Sequence, residues 1–471
     1  MNIKNIIKIL SGKTKPGQKI YLVGGFLRDV LLKRKTNDLD FVVNKNIRDF
    51  VNSIALKLKG KVIILDDRNR IYRIIVSGSD GETCNLDFSH MQGKNIQLDL
   101  DRRDFTINAM AMDIEHKDII DPFGGIKDLN NKIIRKVSDR IFNDDPLRLL
   151  RAYRFQAELG FDIEQDTSKL IRKYARFIKK PAKERVRYEL LKILQTNDSS
   201  KIVDVLDKQK LLEPIFPEIL VMKKSARRFY FHPEGLWQHS KESLVSLEII
   251  LKNVKKLFPQ SSEKIIRHIT PRIGLIKFIT LFHDLAKPKS IKRINNRIRF
   301  FGHEREGAKK IARIMGRLKF SNKEISIAEK IVKNHMRPGN LLQAKILTER
   351  AIYRFFRDLG DETVDLLLLS FADRHSYLKI RATKKEVSDY KKFAGLMIEK
   401  FFKQKELEKR EKIVNGHIIM KKFGLKPGPI IGKLLKIVEE NYILGKIKTT
   451  ELALEFIKTK CKRLLRNLQN S

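Results

Sequence analysis

Over the first 143 residues, apolar positions come in short runs separated by glycine and charged turns. Residues 20–23 and 39–43 are buried-strand runs, and 62–65, 73–76 and 85–88 predict three further strands. Gly24-Gly25 and Gly124-Gly125 punctuate them. From about Asp144 the period changes. Leu147, Leu150, Phe155 and Leu159 recur at near-helical intervals, and helical spacing continues to Leu212. A proline-containing break at 212–217 precedes a second helical region, roughly 230–380. The remaining residues, 381–471, read as helical and basic, with a stiff turn at 424–432 (GLKPGPIIG). No tandem repeat of solenoid period is present. The pattern predicts an α/β head followed by all-α segments, divided at 1–143, 144–230, 231–380 and 381–471.

Composition narrows the class. Hydrophobic residues make up 42% and charged residues 33%, enough apolar material for real cores. Lys and Arg total 99 against 56 Asp and Glu, a net charge of +43. That excess predicts a polyanionic partner, held by steering and counterion release. The two cysteines, Cys84 and Cys461, lie far apart without metal-ligand spacing, which fits a reducing compartment. No apolar run reaches membrane-spanning length, so no membrane partner is expected. The first 13 residues lack the core of a secretory signal, and a cytoplasmic location is expected.

Three features near the amino terminus carry candidate chemistry. Leu22-Val23-Gly24-Gly25-Phe26-Leu27-Arg28-Asp29 runs a strand into glycines and then a helix, a junction where backbone N–H groups can face a phosphate. Asp38-Leu39-Asp40 follows. Alternate residues of a strand share a side, so the two carboxylates converge. Like charges that close are costly without a cation between them, and Mg²⁺ with a triphosphate is the natural occupant. In a two-metal site one ion activates the attacking hydroxyl and the other supports the leaving pyrophosphate. Arg102-Arg103-Asp104-Phe105-Thr106-Ile107-Asn108-Ala109-Met110 then supplies arginines suited to phosphate charge. Each feature alone also fits ordinary structure: a turn, a solvated strand end, a capped helix.

In this order, Gly-Gly-x-x-Arg-Asp, Asp-x-Asp and Arg-Arg-Asp-Phe-Thr-x-Asn-Ala resemble the class II tRNA nucleotidyltransferase and bacterial poly(A) polymerase family, over at least residues 20–190. The resemblance implies a polymerase-β-like nucleotidyltransferase head. It places Gly25 and Arg28 near the nucleotide, Asp38 and Asp40 on Mg²⁺, and Arg103 near the triphosphate. Asp87, on the strand 85–88, is a candidate third carboxylate or a structural residue.

Asp144-Asp145-Pro146 suits a helix start, and Arg148, Arg151 and Arg154 form a drifting stripe on the helix that follows. A solvated basic face would look the same. Cytosine and adenine both present an exocyclic amine beside a ring-nitrogen acceptor. A carboxylate next to a guanidinium offers the matching pair. Uracil and guanine would leave buried groups unpaired, at roughly 1–3 kcal/mol per group. Asp145 and Arg148 are therefore the expected selectors of C and A, with Arg151 and Arg154 as further nucleotide-binding candidates. The family motif resembles this segment but usually carries Glu where this chain has Asp144. Glu184-Arg185-Val186-Arg187-Tyr188-Glu189 is similar to the family's neck.

The region 231–380 contains His232, Glu234, His239, His283-Asp284, His303, His335 and Asp373. The adjacent His-Asp lies in Phe-Ile-Thr-Leu-Phe-His-Asp-Leu-Ala-Lys, where apolar neighbours predict burial and an ionised pair needs a partner or a metal. The order His239, His283-Asp284, Asp373 resembles the HD phosphohydrolase superfamily, with His303 and His335 as additional ligands. A mixed N/O shell suits a transition metal such as Mn²⁺ or Ni²⁺. The alternative is an HD fold kept for RNA binding. The tail segment 413–416 with 424–432 resembles that of the family branch that carries an HD domain, departs from its usual Gly-Asp-Leu at Gly416-His417-Ile418, and has a charge that fits a grip on tRNA.

The expected function is template-independent addition of CCA to the 3′ end of tRNA from CTP and ATP, with a second, hydrolytic activity in the HD domain. Poly(A) polymerase and enzymes adding only CC or only A share the head. The segment Leu65-Asp66-Asp67-Arg68-Asn69-Arg70 is the candidate loop for separating them. Two readings of other classes are an HD phosphohydrolase with a non-catalytic RNA-binding head and an RNA chaperone. The intact acidic motifs argue against both.

Overall fold

The computed structural model describes residues 3–77, 83–224, 235–295, 297–379, 382–408, 413–443 and 445–460. His232, Glu234 and Cys461 lie outside the described residues. The chain divides into two compact units, 1–216 and 217–471.

The first unit is built on one seven-stranded sheet. Its strands are β1 (Ile20–Val23), β2 (Asp38–Val43), β3 (Lys61–Asp66), β4 (Ile71–Ser77), β5 (Thr83–His90), β6 (Ala111–Asp113) and β7 (Ile119–Ile120). The order is β3-β4-β5-β2-β1-β6-β7. β2 and β5 are parallel and the other neighbours antiparallel. Period-two alternation sorts the two faces of the central strands. Leu39, Phe41, Ile74, Leu86 and Phe88 are all buried on one face. Phe41 and Phe88 stack there at 5.0 Å, and Phe50 meets Phe88 edge-on. The opposite face carries the in-register polar residues of the site. All five expected strands form. β6 and β7 were not legible because two or three residues carry no period.

The expected division at 143/144 does not separate compact bodies. Ile133–Ile134 pairs in parallel with Asp162–Ile163, joining the end of the head to the first helical segment. Helices Arg148–Leu159 and Lys183–Gln195 pack within this same unit. Its boundary, 216/217, falls in the proline-containing break rather than at 230/231. The segment 65–70 closes the β3–β4 hairpin as a short pinned turn: Asp66 accepts from the backbone and side-chain nitrogens of Asn69 at 3.0 and 2.8 Å.

The described residues of the second unit are helical, apart from a hairpin of Ile291–Ile294 and Arg297–Phe300 that helical spacing did not predict. Helix Glu362–Ser376 runs through its centre. Val364 and Leu366 to Leu369 are all at 0% exposure, the all-round burial of a core helix. Arg272 at 2.7 Å and His268 at 3.1 Å both reach Oδ2 of its buried Asp365. Helices Gly416–Phe423, Pro429–Ile443 and Thr450–Lys460 surround their own small core, including Ile419, Leu434 and Ile457. No described helix is long and apolar enough to cross a membrane.

Candidate active site and metal centre

The acidic site of the head follows from sheet register. Asp40 lies opposite Val23 on β1 and opposite Asp87 on β5; Asp38 lies opposite Asn85. Asp38 and Asp40, two apart on β2, share a face. Asn85 donates to Asp38 at 2.9 Å. Asp40 accepts no hydrogen bond among the described residues. Burial pushes its carboxyl up, Arg103 opposes the shift, and Asp87 and Asp38 add to it, leaving the group at about 6. A carboxylate that lacks donors and sits beside two others fits a divalent cation.

Gly24 turns the chain over this site. It has φ +71°, and a Cβ placed there would meet Nη1 of Arg103 at 3.0 Å and Oδ2 of Asp40 at 3.3 Å. Glycine is required on both counts. Arg103 donates to Asp99 at 3.3 Å, while its buried Nε has no partner. Gly24, Asp40 and Arg103, separated by up to 79 positions, are thus brought together, while Gly25, the glycine expected near the nucleotide, is the first residue of the helix Gly25–Leu31. Arg28 is nearby but committed: it donates to both oxygens of Asp29 at 3.0 Å and to Asn108 at 2.7 Å, over the ring of Phe155. It supports the Gly25–Leu31 helix and the Thr106–Asn108 turn from within.

The expected arginine stripe is divided by its partners. Arg148 donates to the backbone carbonyls of Arg102 at 2.6 Å and Ile141 at 3.3 Å. Asp145 accepts from the backbone of Leu147 at 3.1 Å and from Arg185 at 2.8 Å. Asp145 and Arg148 are therefore oriented by separate partners rather than paired with each other. Arg151 and Arg154 depart from the expectation of a nucleotide-facing stripe. Arg151 donates to buried Asp104 at 2.8 Å, and Arg154 lies 3.2 Å from buried Glu189. The physical reason is that two buried carboxylates need cations, and these arginines supply them. Burial pushes Asp104 up, but the charge and hydrogen bonds of Arg151 and the amide of Asn108 outweigh it and hold the carboxyl at about 2. Asp104, Asn108 and Glu189 were visible only as motif members. Nothing in the sequence marked them as one buried network.

A second cluster lies in the helical unit. His239 comes from helix Leu236–Lys252, and His283-Asp284 directly follows helix Ile273–Phe282. His303 opens helix His303–Arg317, His335 follows helix Asn322–Asn334, and Asp373 lies on Glu362–Ser376. The Nε2 of His239 is 3.0 Å from Asp373 and 3.5 Å from Asp284; that of His283 is 3.6 and 3.3 Å from the same two carboxylates. On the other oxygen of Asp284, His303 and His335 approach to 3.5 and 3.4 Å, with their Nε2 atoms 3.1 Å apart. The Nδ1 atoms of His283, His303 and His335 each face a backbone carbonyl at 2.6–2.8 Å, which leaves Nε2 as the ligand atom. Oδ1 of Asp373 and Nε2 of His283 are buried without a hydrogen bond. Two groups, His239-His283-Asp284-Asp373 and Asp284-His303-His335, therefore have the geometry to hold a metal ion. All six residues singled out in the sequence converge. Lys287, one turn on, forms an ion pair with Asp284 and was not foreseen.

Comparison with known proteins supplies the class. The model for the Poly A polymerase head domain matches residues 20–135. That for the probable RNA and SrmB-binding site of polymerase A matches 160–222, and that for tRNA nucleotidyltransferase domain 2 (putative) matches 305–457. The A-adding tRNA nucleotidyltransferase of Deinococcus radiodurans is 30% identical over 93% of this chain and 94% of its own. The chain belongs to the class II tRNA nucleotidyltransferase family, a family of enzymes. The CC-adding tRNA nucleotidyltransferase of Thermus thermophilus is 27% identical over 92% of each chain. The Thermotoga maritima CCA-adding enzyme, solved in complex with tRNA, shares the fold at a TM-score of 0.63 and 23% identity, over 98% of this chain and 96% of that one.

Proposed function

We propose that this chain adds CCA to the 3′ end of tRNA without a nucleic-acid template, using CTP and ATP. The observation that carries the reading is the placing of Asp38 and Asp40 on one face of β2, with Asp40 beneath Gly24 and beside Arg103. With Mg²⁺ on the two aspartates, a bound ion would lower the cost of deprotonating the primer hydroxyl and of charge on the leaving pyrophosphate. The 3′-oxygen of the primer forms a bond to the α-phosphorus, the bond from that phosphorus to the bridging oxygen breaks, and pyrophosphate leaves. The helix N-terminus after Gly24 and the guanidinium of Arg103 would bear the triphosphate charge. Asp145 and Arg148, each oriented by its own partners, present the acceptor and donors that match C and A.

Relatives aligned over nine-tenths of this chain carry three names, A-adding, CC-adding and CCA-adding. Primer choice separates the three reactions. Purified protein is incubated with Mg²⁺ and tRNA ending at the discriminator base, after the first C, or after CC, with CTP and ATP singly and together. Completion of all three primers to CCA is expected. Extension of the CC-ending primer alone, or a stop at CC, would replace this reading by A-only or CC-only addition.

The cluster around Asp284 supports a second proposed site, an HD-type centre for a divalent transition metal such as Mn²⁺ or Ni²⁺. A metal held there would supply a bound water as nucleophile toward a phosphoester. His239, His283, Asp284 and Asp373 would hold it, His303 and His335 would complete the shell on the far oxygen of Asp284, and Lys287 would offer an anion a charge beside it.

A further inference from the structure

A polar row crosses the head sheet at the level of Asp40. Asp40 on β2 is registered with Asp87 on β5, and Asp87 with Arg73 on β4. Registered residues of neighbouring strands share a face, so two carboxylates and a guanidinium stand side by side. Arg73 grips Asp87 at both oxygens: Nε to Oδ1 at 2.6 Å and Nη2 to Oδ2 at 2.7 Å. The side chains are only 35% and 25% exposed, so the contact is partly shielded from solvent. Bidentate guanidinium–carboxylate pairs of this length are charge-assisted and directional. The three carboxylates of this face are treated unequally. Among the described residues Asp87 has a full counter-cation, Asp38 has one neutral amide donor, and Asp40 has no donor.

We propose that Arg73 is a positioning residue that occupies Asp87 as an internal counter-cation, keeping it out of the head's metal shell and setting the affinity of Asp38 and Asp40 for the divalent ion. The inference rests on the proposed metal role of those two aspartates. Three free carboxylates on one face would bind a divalent cation more tightly than two, because each adds attraction at close range. Arg73 removes one of them and adds a positive charge next to the ion. Such a clamp leaves the ion exchangeable, as suits a metal that arrives with each nucleoside triphosphate.

Mn²⁺ binding to the full chain, followed by electron paramagnetic resonance, tests this. The head contribution is the part lost in Asp38→Asn/Asp40→Asn. Arg73→Gln is expected to tighten that contribution, on the order of tenfold for a removed neighbouring charge and a freed ligand. Asp87→Asn alone is expected to leave it within about twofold, and Arg73→Gln/Asp87→Asn to undo most of the gain. The half-saturating Mg²⁺ for nucleotide addition should fall in Arg73→Gln. Thermal melting of each variant separates these effects from misfolding, and Arg73→Lys, which keeps the charge but loses the bidentate grip, should lie between. Unchanged or weaker Mn²⁺ binding in Arg73→Gln overturns the proposal, as does a large loss in Asp87→Asn. If Asp38→Asn/Asp40→Asn removes no Mn²⁺ at all, the metal reading of the head falls, and the role of Arg73 falls with it.

Discussion

Arg151, on the helix Arg148–Leu159, donates to the buried carboxylate of Asp104 at 2.8 Å and so ties that helix to the end of the head's arginine motif. Asp104 is 6% exposed and also accepts from its own following backbone N–H and from Asn108. Removing one partner of such a pair leaves a buried charge unsatisfied. Asp104→Ala or Arg151→Ala should destabilise the first unit by about 3 kcal/mol, the low end of that range because Arg151 remains partly solvated. Denaturant unfolding of the full chain, fitted for its separate transitions, checks this.

The same pair sets a pH dependence. The folded carboxyl of Asp104 sits at about 2, below its ordinary value of 3.8. A group depressed on folding contributes stability that is fully present above the ordinary value and is lost as pH falls toward the folded one. The first unit should therefore lose stability between about pH 4 and pH 2, and Asp104→Asn should flatten that slope. Unfolding curves at several acidic pH values measure the difference.

Gly24 makes a sharper demand on the site. With φ at +71° and Arg103 and Asp40 within contact of any added Cβ, Gly24→Ala combines backbone strain of roughly 1–3 kcal/mol with displacement of one of those two groups. Addition should fall by about a hundredfold, in kcat more than in the stability of the fold. Steady-state kinetics beside a melting curve separates the two effects.

How much of this was written in the sequence differs by level. The strands around Asp40 were legible as short apolar runs bounded by glycine and charged turns, with Leu39, Phe41, Leu86 and Phe88 buried on one face. In the second cluster His283-Asp284 was legible because a buried His-Asp pair without a ligand is chemically costly, whereas His239, His303, His335 and Asp373 were legible only through the resemblance to the HD phosphohydrolases. Arg73 was not, since its meaning depends on strand register, which pattern alone leaves open. Arg151 and Arg154 looked like solvent- or nucleotide-facing charges because helical spacing shows which residues align, not what they face. Their partners, Asp104 and Glu189, come from elements 47 and 35 positions away.

The second cluster predicts metal content independent of nucleotide addition. The purified full chain should carry transition metal, measured by mass spectrometry, and His283→Ala/Asp284→Ala should lose it. Nucleotide addition by that variant should match the parent. Unaltered metal content would contradict the assignment of these ligands, whereas lost addition would mean that the second unit serves the head's reaction.

The central claim is that Asp38 and Asp40 carry nucleotide addition. The most direct measurement is single-turnover incorporation of labelled CTP and ATP into tRNA lacking its 3′ end, at saturating Mg²⁺, for the parent and for Asp40→Asn. The account predicts incorporation by the parent and a loss of at least about a thousandfold in Asp40→Asn, with an unchanged melting curve. Incorporation by Asp40→Asn at near-parental rate, or none by the parent with any primer, would contradict it.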